Sequence, residues 1–171
     1  RCDDSVVRIV AERQTPLRRS RGFAPLPLTV PFRFKKPVLA LGPNMNSTIA
    51  LGIDDKVFLS QHIGDLDTPL ATEFYEETIR DFLALFAVKP EVVVSDLHPG
   101  YYSSKYGERH YGDKLVRIQH HYAHIVSCMV ENETPANAEV IGIAFDGTGY
   151  GEDKTIWGGE VLIASYKGFR R

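Results

Sequence analysis

The 171-residue sequence predicts an α/β fold, a mixed sheet with flanking helices, on three observations. Three short apolar runs succeed one another at hairpin spacing between Lys36 and Gly64. A long stretch after Thr68 repeats apolar residues at helical spacing. Beyond it, β-branched runs alternate with a second helical pattern, the order that packs helices on a sheet.

The first thirty or so residues differ from the rest. Arg1, Arg8, Arg13, Arg18, Arg19 and Arg21 cluster there, and "APLPLTVPF" comes next. Its prolines lack backbone donors, so Pro25 to Pro37 predicts a linker or edge segment and a domain boundary. Clustered arginines serve either as a solvated surface or as a clamp for phosphate or carboxylate. "PVLALG", "STIALGID" and "KVFLSQHIG" are the three hairpin strands. In "DTPLATEFYEETIRDFLALFAV", Thr68 can cap, Pro69 sits in the first turn, and Leu70, Phe74, Phe82, Leu83 and Phe86 define a helix. "PEVVVSD" and "KLVRIQ" are strands separated by a loop, and "QHHYAHIVSCMVEN" is a helix. "AEVIGIAFDGTGYG" and "TIWGGEVLIASY" are strands about a glycine-rich turn. The order β-β-β-α-β-loop-β-α-β-β is similar to that of the ribonuclease H-like lobe of actin-type ATPases, although a shared fold does not fix a function.

Composition narrows the classes. With 43% apolar and 25% charged residues the chain can bury a core. A net charge of -2 gives no general attraction to nucleic acid or anionic lipid, and no apolar run approaches the roughly 18 residues of a membrane span. Cys2 and Cys128 are too few for a disulfide framework, and no signal peptide opens the sequence, so the expected compartment is the cytoplasm. The absence of an initiator Met and the end directly after a strand-like run suggest a piece of something larger.

The chemistry centres on the second helix. At 100° per residue, Tyr122, Ala123, Ile125, Val126, Met129 and Val130 cover one broad face, while His120, His124, Ser127 and Glu131 fall on the other. His120 and His124, four apart, can converge as two metal ligands; the same spacing also fits a wet helical surface, and two ligands do not complete a site. His121 lies to the side, as an orienting or surface group. Zinc proteases share this spacing, but their His-Glu-x-x-His has a general base where His121 stands.

A third ligand is offered by Asp146, read as ending a strand before Gly147, Gly149 and Gly151; glycines there let backbone amides approach phosphate, although a tight turn explains them equally. Gly158 and Gly159 read as a second turn, with Glu160 as a cap or a polar group at the site. Asp96 and His98 sit after a strand in an Asp-initiated turn or a site. Asn46, Ser47 and Thr48 form a polar hairpin able to meet a phosphate, and His62 and Asp65 lie on another loop.

In their order, "DDSVVR", "RRSRGFAP", "LSQHIGDLDTP", "SDLHPGYYSS", "QHHYAHIVSCMVEN" and "FDGTGYGEDKTIWGGE" resemble the HypF family of hydrogenase maturation carbamoyltransferases over nearly the whole chain. The resemblance implies residues 1–30 as the C-terminal end of a YrdC-like domain with its linker, and 37–171 as the incomplete first lobe of a Kae1-like domain. It implies carbamoyl phosphate and ATP as substrates, carbamoyl adenylate as intermediate, and transfer to the C-terminal cysteine of the partner HypE, toward cyanide ligands. A divalent metal, zinc or iron, would be held by His120, His124 and Asp146, and magnesium would accompany the ATP. Gly147, Thr148, Gly149 and Gly151 would face the nucleotide, and Ser5, Arg8, Arg19 and Arg21 would be available to phosphate; no catalytic residue is assigned.

The sequence departs from the pattern at Asn46, where lysine is usual, at Tyr122 within the usual His-His-His-Ala-His, and at Lys154, where glycine is common. Competing readings are an antibiotic O-carbamoyltransferase, which joins the two modules in the opposite order, a tRNA threonylcarbamoyl transferase, which lacks the upstream motifs, and a metal- or nucleotide-binding regulatory module without chemistry. A nucleotide in an actin-type fold lies between two lobes. The 171-residue chain alone is therefore expected to transfer no carbamoyl group to a HypE tail peptide, and transfer detected by mass spectrometry of that peptide would contradict the one-lobe reading.

Overall fold

The computed structural model describes residues 3–171; Arg1 and Cys2 lie outside the described residues. At the start, β1 (Val6–Val10) and β2 (Arg13–Arg18) form an antiparallel ribbon. Its turn residues Ala11 and Glu12 both take positive φ, the conformation that matches a tight turn to the twist of the strands. Ser5 ties the ribbon to the segment after β2: its Oγ accepts from the Ser20 amide and donates to the Arg21 carbonyl, each at 2.8 Å.

The proline-rich segment supplies β3 (Pro27–Thr29), an edge strand where a missing donor costs no ladder bond. It pairs with the last of the predicted three strands, β4 (Val38–Ala40), β5 (Ala50–Ile53) and β6 (Lys56–Leu59). Helix α1 (Pro69–Leu85) then crosses to β7 (Val92–Asp96), α2 (Tyr102–Tyr111) and a 3-10 turn at Gly112–Lys114 lead to β8 (Leu115–Ile118), and α3 (His120–Glu131) begins at once. The six-stranded sheet has the order β3-β6-β5-β4-β7-β8, with β4, β7 and β8 parallel and the rest antiparallel.

Thr68 caps α1 by accepting from the Ala71 amide, as its position before Pro69 predicts. The helix buries Tyr75, Ile79 and Phe82 against Leu39, Leu41, Leu51 and Val93 of the sheet. Tyr75 is fully buried, and its hydroxyl donates to the Leu41 carbonyl at 2.8 Å. Burial, with the neighbouring tyrosines, pushes its pKa well above the ordinary value.

Two departures from the sequence reading have local causes. The segment between "PEVVVSD" and "KLVRIQ" is not a loop but contains α2, whose buried face is Ser103, Ser104, Tyr106 and Gly107. Small residues let this helix lie close on the sheet; a Cβ at Gly107 would stand 2.8 Å from Leu41 and 2.9 Å from Leu115. The last strands also leave the mixed sheet. Strands β9 (Val140–Tyr150), β10 (Ile156–Ser165) and β11 (Gly168–Arg170) form their own antiparallel sheet, in the order β11-β10-β9, with α3 on one face. Ile125 and Met129 meet Ala144, Leu162 and Ala164 there. The opposite face leaves Ile141, Ile143, Phe145, Val161 and Ile163 exposed.

Asp146 accordingly does not end its strand, and Gly158 and Gly159 lie within β10 rather than in a turn. The turn falls at 151–155, where Asp153 Oδ1 accepts from the Thr155 amide, the Thr155 hydroxyl and the Trp157 indole. Lys154 takes φ +65° in it, the left-handed region that favours glycine. Glu160 is neither a cap nor a member of the histidine cluster: it is buried and accepts from Arg171 Nε at 2.7 Å and Nη2 at 2.8 Å, with the guanidinium over Trp157. Among the described residues no helix is long and apolar enough to cross a membrane.

Replacing Tyr75 by Phe keeps the packing but withdraws the donor from a buried carbonyl, a change of about 1–2 kcal/mol. Urea unfolding of Tyr75→Phe should show a lower midpoint at unchanged slope; an unchanged midpoint would mean that the Leu41 carbonyl gains nothing from this bond.

Candidate metal centre

Helix α3 starts at His120 because Gln119 is extended and its side-chain oxygen accepts from the Tyr122 amide at 2.9 Å. One helical turn then stacks His124 on His120, with their Nε2 atoms 3.1 Å apart. The third group comes from β9, the strand on which α3 packs. Along the hairpin Gly149 pairs with Trp157 and Phe145 with Gly159, so Asp146, Gly147 and Thr148 together face Gly158 alone. This bulge re-aims the side chain of Asp146. Its Oδ2 lies 2.8 Å from His120 Nε2 and 3.2 Å from His124 Nε2.

Three donor atoms thus form a triangle with sides of 2.8, 3.1 and 3.2 Å. Tetrahedral coordination by imidazole nitrogen and carboxylate oxygen separates ligand atoms by about 3.3 Å, so a small divalent ion fits with a slight opening of the triangle. The donor set suits zinc or iron.

The surroundings fix these groups unequally. Asp96, at the end of β7, is only 6% exposed; its Oδ2 lies 2.6 Å from His120 Nδ1 and its Oδ1 accepts from the His98 amide at 2.8 Å. The turn read for Asp96 is thus formed through Oδ1, while Oδ2 contacts His120. His120 is 16% exposed and His124 56%. Of the two readings of His121, the surface one is overturned: it is fully buried, with Nδ1 3.0 Å from Gln119 Nε2 and Nε2 3.4 Å from the Asp146 carbonyl. Ala123, assigned to the apolar face, is exposed instead. Gly149 lies flat against the His121 ring, where any Cβ would overlap it.

Two hollows flank the triangle. One of about 420 Å³, at the carboxyl ends of the parallel strands, is lined by Gly42, Thr48, Ser95, Asp96, His120 and His124. Such strand ends are where open α/β sheets take ligands. A second, of about 650 Å³, runs between α3 and β9 past His124, Cys128, Phe145 and Asp146.

The remaining sequence candidates are placed apart or otherwise engaged. Gly149 and Gly151 pack against His121 and Trp157, whereas Gly147 and Thr148 stay exposed. Ser5 and Arg21 hold the ribbon, Arg21 pairing with Asp4, while Arg8 stands opposite Thr15 and Arg19 over Phe23. Arg19 lines a separate hollow with Asn46, Thr48 and His62. Asp65 accepts from the Asn46 amide, which holds the polar hairpin in place.

Electrostatics reflect the geometry. The hydrogen bond to Asp96 raises the pKa of His120, outweighing burial, and the charges of Asp96 and Asp146 add to it. Burial pushes the Asp146 carboxyl up, but the Thr148 amide and the two histidines together bring it below the ordinary value. The His120 pairing therefore contributes stability fully below the ordinary histidine value of 6.5 and loses it as pH rises through the raised folded value. The Asp146 contribution is present above 3.8 and is lost as pH falls through the lowered one.

Comparison with known proteins places these residues in a family context. Residues 33–131 match the HypF Kae1-like domain, and residues 142–171 match the second subdomain of the carbamoyltransferase Kae1-like domain. The carbamoyltransferase HypF of Synechocystis sp. is 44% identical over 160 residues, covering 94% of this chain and 21% of that protein. Its counterpart in Rhodobacter capsulatus is 39% identical over 177 residues, covering 100% and 24%. Among solved structures, full-length HypF in a phosphate- and nucleotide-bound form superposes with a TM-score of 0.93 at 42% identity, covering 100% of this chain and 22% of that one. The T. kodakarensis HypF structure gives 0.86 at 41%, covering 97% and 22%. The chain thus spans between a fifth and a quarter of the length of these relatives.

In the metal-free protein, the His120 ring resonances should titrate above 6.5 in an NMR pH series. A titration at or below that value would be incompatible with an imidazole held between two carboxylates.

Proposed function

The chain belongs to the HypF Kae1-like domain family, and from that premise we propose that it supplies the metal-binding part of a carbamoyl-transfer site in hydrogenase maturation. The observation that carries this reading is the triangle of His120, His124 and Asp146, built from helix α3 and the bulged strand β9 on which it packs. We assign residues 1–30 to the end of a YrdC-like domain and its linker, and 37–171 to the Kae1-like part, whose second subdomain opens at β9. The substrates are carbamoyl phosphate and ATP with magnesium, and the acceptor is the C-terminal cysteine of HypE. Such a thiol acceptor requires a reducing compartment, which favours the cytoplasm.

In this mechanism the residues of the chain bind and orient. His120 Nε2, His124 Nε2 and the Asp146 carboxylate hold the ion. When bound, the ion supplies a Lewis acid that polarises the carbamoyl carbonyl and offsets charge on the departing phosphate. Gln119 and His121 steady the Asp146 backbone from beneath, through the Asp146 carbonyl and Tyr150. The hollow beside His120, at the strand ends, is large enough to admit part of a nucleotide. Exposed Gly147 and Thr148 can approach its phosphates, while Gly149 and Gly151 keep β9 in contact with His121 and Trp157. Ser5, Arg8, Arg19 and Arg21, on the ribbon side, remain candidates for phosphate contact in the YrdC-like part.

The deciding comparison is metal content of the protein and of a His120→Ala/His124→Ala double variant with the same circular dichroism. The parent is expected to retain about one zinc or iron per chain and the variant none, with carbamoyl transfer to the HypE tail by the full-length protein lost when it carries the same two substitutions. Equal metal content in the two would remove the basis of this reading.

A further inference from the structure

An imidazole can offer a metal only the ring nitrogen that carries no proton, so the partner of the other nitrogen decides which one is free. His120 faces the Asp146 and His124 donor atoms with Nε2 and turns Nδ1 to Asp96 Oδ2 at 2.6 Å. The ionised carboxylate can only accept, so Asp96 keeps a proton on Nδ1; Nε2, which shares the second proton of the imidazolium with Asp146 Oδ2 at 2.8 Å, is the nitrogen freed when the ring becomes neutral.

Asp96 is itself held rigidly. Its carbonyl accepts from the hydroxyls of Ser95 and Ser104 at 3.2 and 3.0 Å, and its Oδ1 accepts from the His98 amide. The next residue continues the anchorage, since the Leu97 amide donates to the Ile118 carbonyl just before α3 begins. Both oxygens of the carboxylate are in use, in two directions. His124, more than half exposed, is the member of the pair free to adjust.

We propose that Asp96 is a positioning residue of the metal centre, fixing His120 as the Nδ1–H tautomer with its ring in place before the ion arrives. The proposal rests on the metal reading above, and it makes His120 the preset ligand and His124 the adaptable one. Outer partners of this kind typically change metal affinity about 10–100-fold.

Asp96→Asn tests it with little change of shape. A carboxamide has one acceptor oxygen where two are needed. If the oxygen keeps the His98 amide, its NH₂ faces Nδ1 and drives the proton to Nε2; if it turns to His120, the turn loses its cap. Two readouts are taken on the protein: zinc affinity by competition with a chromophoric chelator, and ¹⁵N imidazole shifts of the metal-free form in alkaline buffer, with His120→Gln to assign the signal. The expected result is an Nδ1–H tautomer for His120 in the parent, its loss in Asp96→Asn, and zinc affinity lower by about tenfold or more with the fold retained by circular dichroism. Parent-like zinc affinity in the variant, or an Nε2–H tautomer in the parent, would overturn the proposal. Should Asp96→Asn not fold, the parent's tautomer alone decides. A parent that binds no zinc would instead sink the metal reading, and the tautomer would still uphold or overturn the hold of Asp96 on His120.

Discussion

The candidate centre depends on how closely α3 lies on β9. A helix side chain and a strand side chain share donor atoms only if the backbones approach, and here small residues on the strand set the approach. Gly142 lies under Ile125, Ala144 under the same core, and Gly149 under His121. The buried positions keep an even spacing from 142 to 144 and then change parity at 149. That change is the bulge, and Asp146 stands in it. The same irregularity that keeps two glycines beneath one helix also turns a carboxylate toward the histidines.

Charge completes what packing begins. A carboxylate as buried as Asp96 costs on the order of several kcal/mol unless it is paired and hydrogen-bonded. His120 and the His98 amide meet both needs, and His120 in turn bridges Asp96 to Asp146. The row carboxylate, imidazole, carboxylate joins the six-stranded sheet to the second sheet through one ring. An ion entering the triangle takes over the role that a proton on Nε2 plays between His120 and Asp146, so binding of metal and release of a proton are coupled.

Much of this was legible in the sequence, and the parts that were not share a cause. The capped α1, the three hairpin strands and the histidine helix carry strong periodicity, and the two histidines fall on one helical face by spacing alone. Helix α2 escaped because its buried face is serine, tyrosine and glycine, which no apolar pattern registers. The bulge escaped because it breaks the two-residue period of a strand, and glycines inside a strand read as a turn. His121 reads as an orienting or a surface group, and its burial was not legible because the partners that satisfy both its nitrogens, Gln119 and the Asp146 carbonyl, meet it only in the fold. Asp96 was visible as a turn former or a site group; the contact of its second oxygen with His120 emerged only once β7 and α3 were seen side by side.

The second sheet has one covered face and one open one. Ile141, Ile143, Phe145, Val161 and Ile163 alternate outward across two paired strands, and Phe145 is 92% exposed. A net charge of -2 supplies little repulsion between chains. Any self-association of the isolated chain would therefore draw on this patch of hydrocarbon more than on its ionic surface, strengthened by salting-out anions and weakened by mild chaotropes.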